Sequence, residues 1–131
     1  MTVLVNAVSK VPKILVIDDD ELIRMTCRNI LKKIECTVIE AENGVKGLEQ
    51  FRKESPSIVI TDMLMPDKEG LETISEIRAG NLSVKIIAMS GGGSTQNMNF
   101  LNLAKKMGAD MILSKPFKPD DLLAAVRNVL R

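Results

Sequence analysis

The 131-residue sequence predicts an α/β protein: five strands alternating with five helices, a (βα)5 pattern in one doubly wound parallel sheet. Three observations predict it. Runs such as Ile14-Leu15-Val16-Ile17 and Ile58-Val59-Ile60 show no polar alternation, which marks strands buried on both faces, the habit of parallel sheets covered by helices. Between them lie segments whose apolar residues recur at helical spacing. Each full run then closes on a residue with chemistry of its own: an acid, a hydroxyl or a lysine.

Residues 1–11 read as a short N-terminal extension and 12–131 as the domain, with Pro12 entering the first strand. A helix is expected from Asp20 to Ile34, with the stripe Ile23, Cys27, Ile30 and Ile34. Cys36 to Glu40 reads as a strand, and Asn43-Gly44 as the turn into a helix with Val45, Leu48 and Phe51 inward. Pro56 ends that helix, because proline lacks the N–H and clashes with the preceding turn. Ser57 to Thr61 is the third strand, closing on Asp62. After a loop, Leu71, Ile74 and Ile77 define a third helix. Val84 to Met89 is the fourth strand, closing on Ser90 and Gly91-Gly92-Gly93. Phe100, Leu103, Ala104 and Met107 line a fourth helix; Asp110 to Ser114 is the last strand, followed by Lys115-Pro116. The final helix, Pro119 to Leu130, turns Leu122, Val126 and Val129 inward.

With 18 basic and 17 acidic residues the net charge is +1, so no general attraction to nucleic acid or anionic lipid is expected. Two cysteines, Cys27 and Cys36, make no disulfide framework, and a chain without histidine can build no Cys/His zinc site. Phe51, Phe100 and Phe117 are the only aromatics, and the eight methionines help fill the core in their place. The N-terminal residues lack a basic start and a long apolar stretch, and no run reaches membrane-spanning length. A cytoplasmic location without membrane insertion is the expectation.

The triplet Asp18-Asp19-Asp20 carries the most chemical information. One of the three is expected to cap the following helix, which needs a single side chain. Two unit charges about 4 Å apart cost roughly 4 kcal/mol at an effective dielectric near 20, so crowded carboxylates call for a divalent cation or a lysine. In a parallel sheet the strand ends share one rim, where ligands of such folds bind. Asp18, Asp19, Asp62, Ser90 and Lys115 would therefore meet there. Two acids can hold Mg²⁺, a third can act as ligand and nucleophile, and the hydroxyl and lysine can bind an arriving phosphoryl group.

Four motifs in this order, Ile-Leu-Val-Ile-Asp18-Asp19-Asp20, Ile-Val-Ile-Thr-Asp62-Met-Leu-Met-Pro66, Ile-Ile-Ala-Met-Ser90 and Leu-Ser-Lys115-Pro116-Phe117, resemble the receiver domain of two-component response regulators over residues 12–131. The resemblance implies a flavodoxin-like fold with strand order 2-1-3-4-5. It makes Asp62 the phosphoacceptor, Asp18 and Asp19 the Mg²⁺-binding acids, and the backbone carbonyl of Leu64 a further metal ligand. Ser90 matches the switch hydroxyl, Lys115 the lysine that pairs with the phosphoryl group, and Pro116 a proline usually preceded by a cis bond. The implied partners are a sensor histidine kinase or phosphotransfer protein and a downstream protein target. The protein would be a monomer or a weak phosphorylation-dependent dimer. It would assist its own phosphorylation and dephosphorylation without being a conventional enzyme.

Some positions depart from the family pattern. Ile112 stands where a switch Tyr or Phe is common, so no ring movement can occur there. Gly91-Gly92-Gly93 gives an unrestricted backbone after Ser90 and, with no Gly-Lys-Ser/Thr following, is no P-loop. Leu64 and Gly92 offer no polar group to orient an attacking water, which predicts slow self-dephosphorylation. Two other readings compete: a receiver-shaped interaction module without phosphotransfer, and a haloacid-dehalogenase-type phosphatase, which leaves the Asp62 and Lys115 motifs unexplained. The sequence ends at Arg131, after the last helix, so signalling by protein–protein contact without an output domain is expected.

Overall fold

The computed structural model describes residues 11–63, 69–91 and 98–131, with the side chains of 69 and 98–101 excepted. Most of the expected N-terminal extension, Leu64, Gly92 and Gly93, and the side chain of Phe100 therefore lie outside the described residues. The strands are β1 (Lys13–Ile17), β2 (Thr37–Ala41), β3 (Ile58–Asp62), β4 (Lys85–Ser90) and β5 (Met111–Ser114). The helices are α1 (Glu21–Leu31), α2 (Gly44–Glu54), α3 (Glu69–Gly80), α4 (Met98–Met107) and α5 (Pro119–Leu130). All strand pairs are parallel, in the order β2-β1-β3-β4-β5, as the flavodoxin-like expectation requires.

Strand geometry splits each apolar run between the two faces of the sheet, because successive side chains point to opposite sides. Ile14 and Val16 pack with Ile58, Ile60 and Ile87 against α1 and α5, through Cys27, Leu31, Leu122 and Val126. Leu15 and Ile17 pack with Val59, Ile86 and Ala88 on the opposite face, against Ile74, Ile77 and Ala104. The central residues Ile14 to Ile17 are fully buried, which explains why the run has no polar member.

Two apolar residues are not where the spacing predicts. Val45 is 63 % exposed and Leu103 is 41 % exposed. In α2 the buried positions are Gly44 and Gly47, with Leu48 and Phe51 half-buried. A Cβ on Gly47 would stand 2.5 Å from Ile17 Cδ1, so the helix lies close on β1 and presents its glycines inward. In α4 the small Ala104 takes the fully buried place.

Element ends shift by a residue or a turn. α1 stops at Leu31 instead of Ile34, its chain continuing through tighter bonds from Lys33 N to Ile30 O and Ile34 N to Leu31 O, both 3.1 Å. Cys36 precedes β2 and donates its thiol to the Leu31 carbonyl at 3.5 Å. α2 ends on Ser55, which adopts the left-handed conformation with φ 49°. Asp110 stands before β5, where its carboxylate accepts from Ile86 N at 2.8 Å and from Arg78 at 3.0 Å.

Candidate functional site

Parallel register delivers the carboxyl ends of the strands to one rim. Ile17 pairs with Ala41 and Thr61, Asp62 with Met89, and Ser90 with Ser114. The residues just past these partners are Asp18 and Asp19 after β1 and Lys115 after β5. Backbone bonds continue the ladder past its formal ends: Asp18 N donates to Ala41 O at 3.1 Å, Met63 N to Met89 O at 2.9 Å, and Lys115 N to Ser90 O at 2.8 Å.

The three acids of the triplet divide their work. Asp20 caps α1, accepting from Leu22 N at 2.9 Å, as one of them was expected to do. Asp18 is fully buried; its Oδ1 accepts from Asp20 N at 2.9 Å and its Oδ2 from Lys115 Nζ at 2.8 Å. Asp19 is exposed. Asp62, 4 % exposed at the end of β3, meets the same ammonium at 3.2 Å. Carboxylate oxygens of Asp18, Asp19 and Asp62 all lie within 4.8 Å of one another.

Burial pushes the Asp18 carboxyl above its ordinary range and outweighs the hydrogen bonds from Lys115 and Asp20, with the negative field of Asp62 adding to the rise. Burial works against the Lys115 ammonium. The hydrogen bond to Asp18 and the fields of Asp62 and Asp18 exceed that penalty, so its pKa stands above the usual lysine value. Burial thus works against the charge on Asp18, while the two acids favour the charge on Lys115.

Ser90 is 2 % exposed at the end of β4, one residue beyond the partner of Asp62, with its carbonyl tied to the Lys115 N–H. The Lys115–Pro116 bond is cis. Ile112 on β5 pairs with Ala88 on β4 and is half-buried against the α2–α3–α4 side of the core. Leu64, the carbonyl ligand that the resemblance implies, lies outside the described residues.

Two features at the rim escaped the sequence reading. Arg24 reaches back from α1 to the Asp18 carbonyl, Nη1 to O 2.6 Å, and pairs with Glu40. Gly70 at the start of α3 lies so close to β3 that a Cβ there would stand 2.3 Å from the Asp62 carbonyl oxygen. Neither contact has a local sequence signal, since each depends on how two distant segments approach.

A family model for the response regulator receiver domain matches residues 14–127. The chain belongs to the response regulator receiver family. Chemotaxis protein CheY of Halobacterium salinarum is 34 % identical over 118 residues, covering 90 % of this chain and 96 % of that protein. Protein PilG of Pseudomonas aeruginosa is 32 % identical over 117 residues, covering 88 % and 84 %. Among solved structures, a receiver domain protein of Clostridium thermocellum superposes with a TM-score of 0.82 at 33 % identity, covering 92 % of this chain and 94 % of that one. A CheY-like receiver of Methanospirillum hungatei gives 0.84 at 26 % identity, with the same coverage.

Membership in the receiver family implies phospho-accepting signal transduction of the two-component kind, between histidine kinases and downstream targets. Receivers in general bind Mg²⁺ through an acidic pocket. The donor set of this receiver fits that ion: three carboxylates less one ammonium leave two negative charges, and all the donors are hard oxygens. No helix among the described residues is long and apolar enough to cross a membrane.

Proposed function

We propose that this receiver accepts a phosphoryl group on Asp62 from a phosphohistidine of a sensor kinase or phosphotransfer protein, in a Mg²⁺-dependent reaction. The single observation that carries the reading is the acidic cluster itself: Asp62 lies within 4.8 Å of Asp18 and Asp19, and one lysine spans Asp18 and Asp62. A structural salt bridge would need one acid and one base. This cluster holds an excess of acid at a rim where ligands of such sheets bind.

A carboxylate oxygen of Asp62 attacks phosphorus in line. The P–O bond forms as the P–N bond breaks, and the electron pair leaves with the donor imidazole, which takes a proton from solvent. Asp18, Asp19 and Asp62, with the Leu64 carbonyl that the family resemblance implies, would hold Mg²⁺, which would neutralise charge on the transferred group. Lys115 exchanges part of its contact with Asp62 for a phosphoryl oxygen while Asp18 keeps its other hydrogen bond in place. Ser90, one strand over, donates its hydroxyl to another oxygen. The receiver thus assists its own phosphorylation and dephosphorylation and is no conventional enzyme.

The product carries on the order of −1.5 to −2 charge beside Ser90 in place of the single charge of the Asp62 carboxylate, by analogy with other phosphorylated side chains. Ser90 and Lys115 are joined through the β4–β5 backbone, so the two strand ends respond together. With Ile112 in place of an aromatic residue, the response passes through packing of an aliphatic side chain against Ala88. A downstream protein reads the altered surface.

Incubation with a small acyl-phosphate donor and Mg²⁺, followed by intact mass measurement, tests the reading. The expected outcome is a gain of one phosphoryl mass in the parent and none in Asp62→Asn or in chelator. Labelling that survives Asp62→Asn would overturn it.

A further inference from the structure

The Asp18–Asp19 turn is held unevenly. Asp18 is fixed at every polar atom: its N–H by Ala41, its two carboxylate oxygens by Asp20 N and Lys115, and its carbonyl by Arg24. Asp19 is exposed, and among the described residues its carboxylate has no hydrogen bond or ion pair. The placement of its backbone, from which that carboxylate projects, follows the plane of the Asp18–Asp19 peptide. The oxygen of that peptide is the atom Arg24 grips at 2.6 Å.

Arg24 is itself braced. Its side chain is 14 % exposed, and its Nε faces Glu40 at 3.4 Å, while Glu40 also pairs with Arg28. Glu40 lies on β2, opposite Val16 of β1, so the brace is anchored in the sheet. A planar guanidinium can hold a carbonyl and a carboxylate at once in fixed directions, which an ammonium cannot.

We propose that Arg24 is a positioning residue for the metal-binding turn, acting through the Asp18 carbonyl to aim Asp19 at the cation. This deepens the function proposed above and rests on its assignment of Asp18 and Asp19 as metal-binding acids. The sign of the effect separates positioning from charge. As a nearby positive charge, Arg24 opposes cation binding, so its removal would tighten Mg²⁺ on electrostatic grounds alone. As a support of the ligands, its removal weakens binding, by about tenfold where outer partners of metal ligands are lost.

Titration calorimetry with Mg²⁺ alone, on the full chain, distinguishes them. Arg24→Met is expected to bind about tenfold more weakly than the parent. Arg28→Met, which removes a charge from the same Glu40 network without touching Asp18, is expected to bind as the parent does. Should Arg24→Met fail to fold, Arg24→Lys serves: it keeps the charge but loses the two-point grip, and weaker binding than the parent is again expected. Equal or tighter binding in the folded Arg24 variant overturns the positioning role while leaving the proposed function intact. Absence of Mg²⁺ binding by the parent overturns both.

Discussion

At the scale of single residues, the rim is governed by a contest between burial and charge, and Cys27 reports the same contest on its uncharged side. Its thiol is fully buried in α1, and burial, with the negative field of Asp18 next in size, pushes it up to about 12 from 9.0. The folded protein thus keeps a proton that the unfolded chain releases. Stability from this source is complete below pH 9.0 and is lost as pH rises toward about 12. The loss is on the order of 1 kcal/mol per pH unit in that window. Cys27→Ala, measured by urea unfolding in chelated buffer, is expected to be less stable at neutral pH because of the cavity. Its stability should nevertheless fall less steeply with pH than that of the parent between pH 9 and 11. Parallel slopes for the two proteins would show that the folded thiol releases its proton over the same range as the unfolded one. Cys36, half-buried and also raised by burial, is no activated thiol either.

At the scale of elements, the strands were legible because burial on both faces leaves an unbroken apolar run, and β1, β3 and β4 carry such runs. Helix faces were less legible where glycine replaces a side chain at the contact. The spacing points Val45 inward because hydrophobicity alone cannot register that Gly44 and Gly47 bring α2 against β1. Gly70 is the corresponding case at the site. Its Cβ would meet backbone, the Asp62 carbonyl oxygen at 2.3 Å and Met63 Cα at 2.7 Å, and backbone cannot rotate aside. Gly70→Ala must therefore push the start of α3 away from the end of β3. Overpacking of this sort costs about 1–3 kcal/mol, which a urea midpoint would register. The expected signature is a loss of stability together with slower phosphorylation from an acyl-phosphate donor, because the clash bears directly on the end of β3, which carries Asp62. Stability lost with an unchanged rate would show that β3 holds its end independently of α3.

For the molecule as a whole, the candidate site was legible because topology does the assembling. Once the strands are parallel, residues that end them in sequence share a rim in space, and the acids, Ser90 and Lys115 needed no further information. The Arg24 grip on Asp18 was not legible, since a carbonyl acceptor looks alike at every position in a sequence. The same topology concentrates carboxylates that the fold must tolerate when no cation is bound. Asp62, 4 % exposed, faces two like charges within 4.8 Å and meets the Lys115 ammonium at 3.2 Å. A cation that binds only the assembled rim is linked to folding of the entire chain, because the unfolded chain cannot gather residues 18, 19 and 62. At a Mg²⁺ concentration about 100 times the dissociation constant, that linkage adds roughly 2.7 kcal/mol. For a domain of this size the gain corresponds to a rise in Tm on the order of 10 °C over chelated buffer, read by thermal unfolding. Asp62→Asn removes one repelling charge and one ligand together. It is expected to melt no lower than the parent in chelator, yet to gain much less from Mg²⁺. A full Mg²⁺ response in Asp62→Asn would place the cation elsewhere than the Asp18–Asp19–Asp62 cluster.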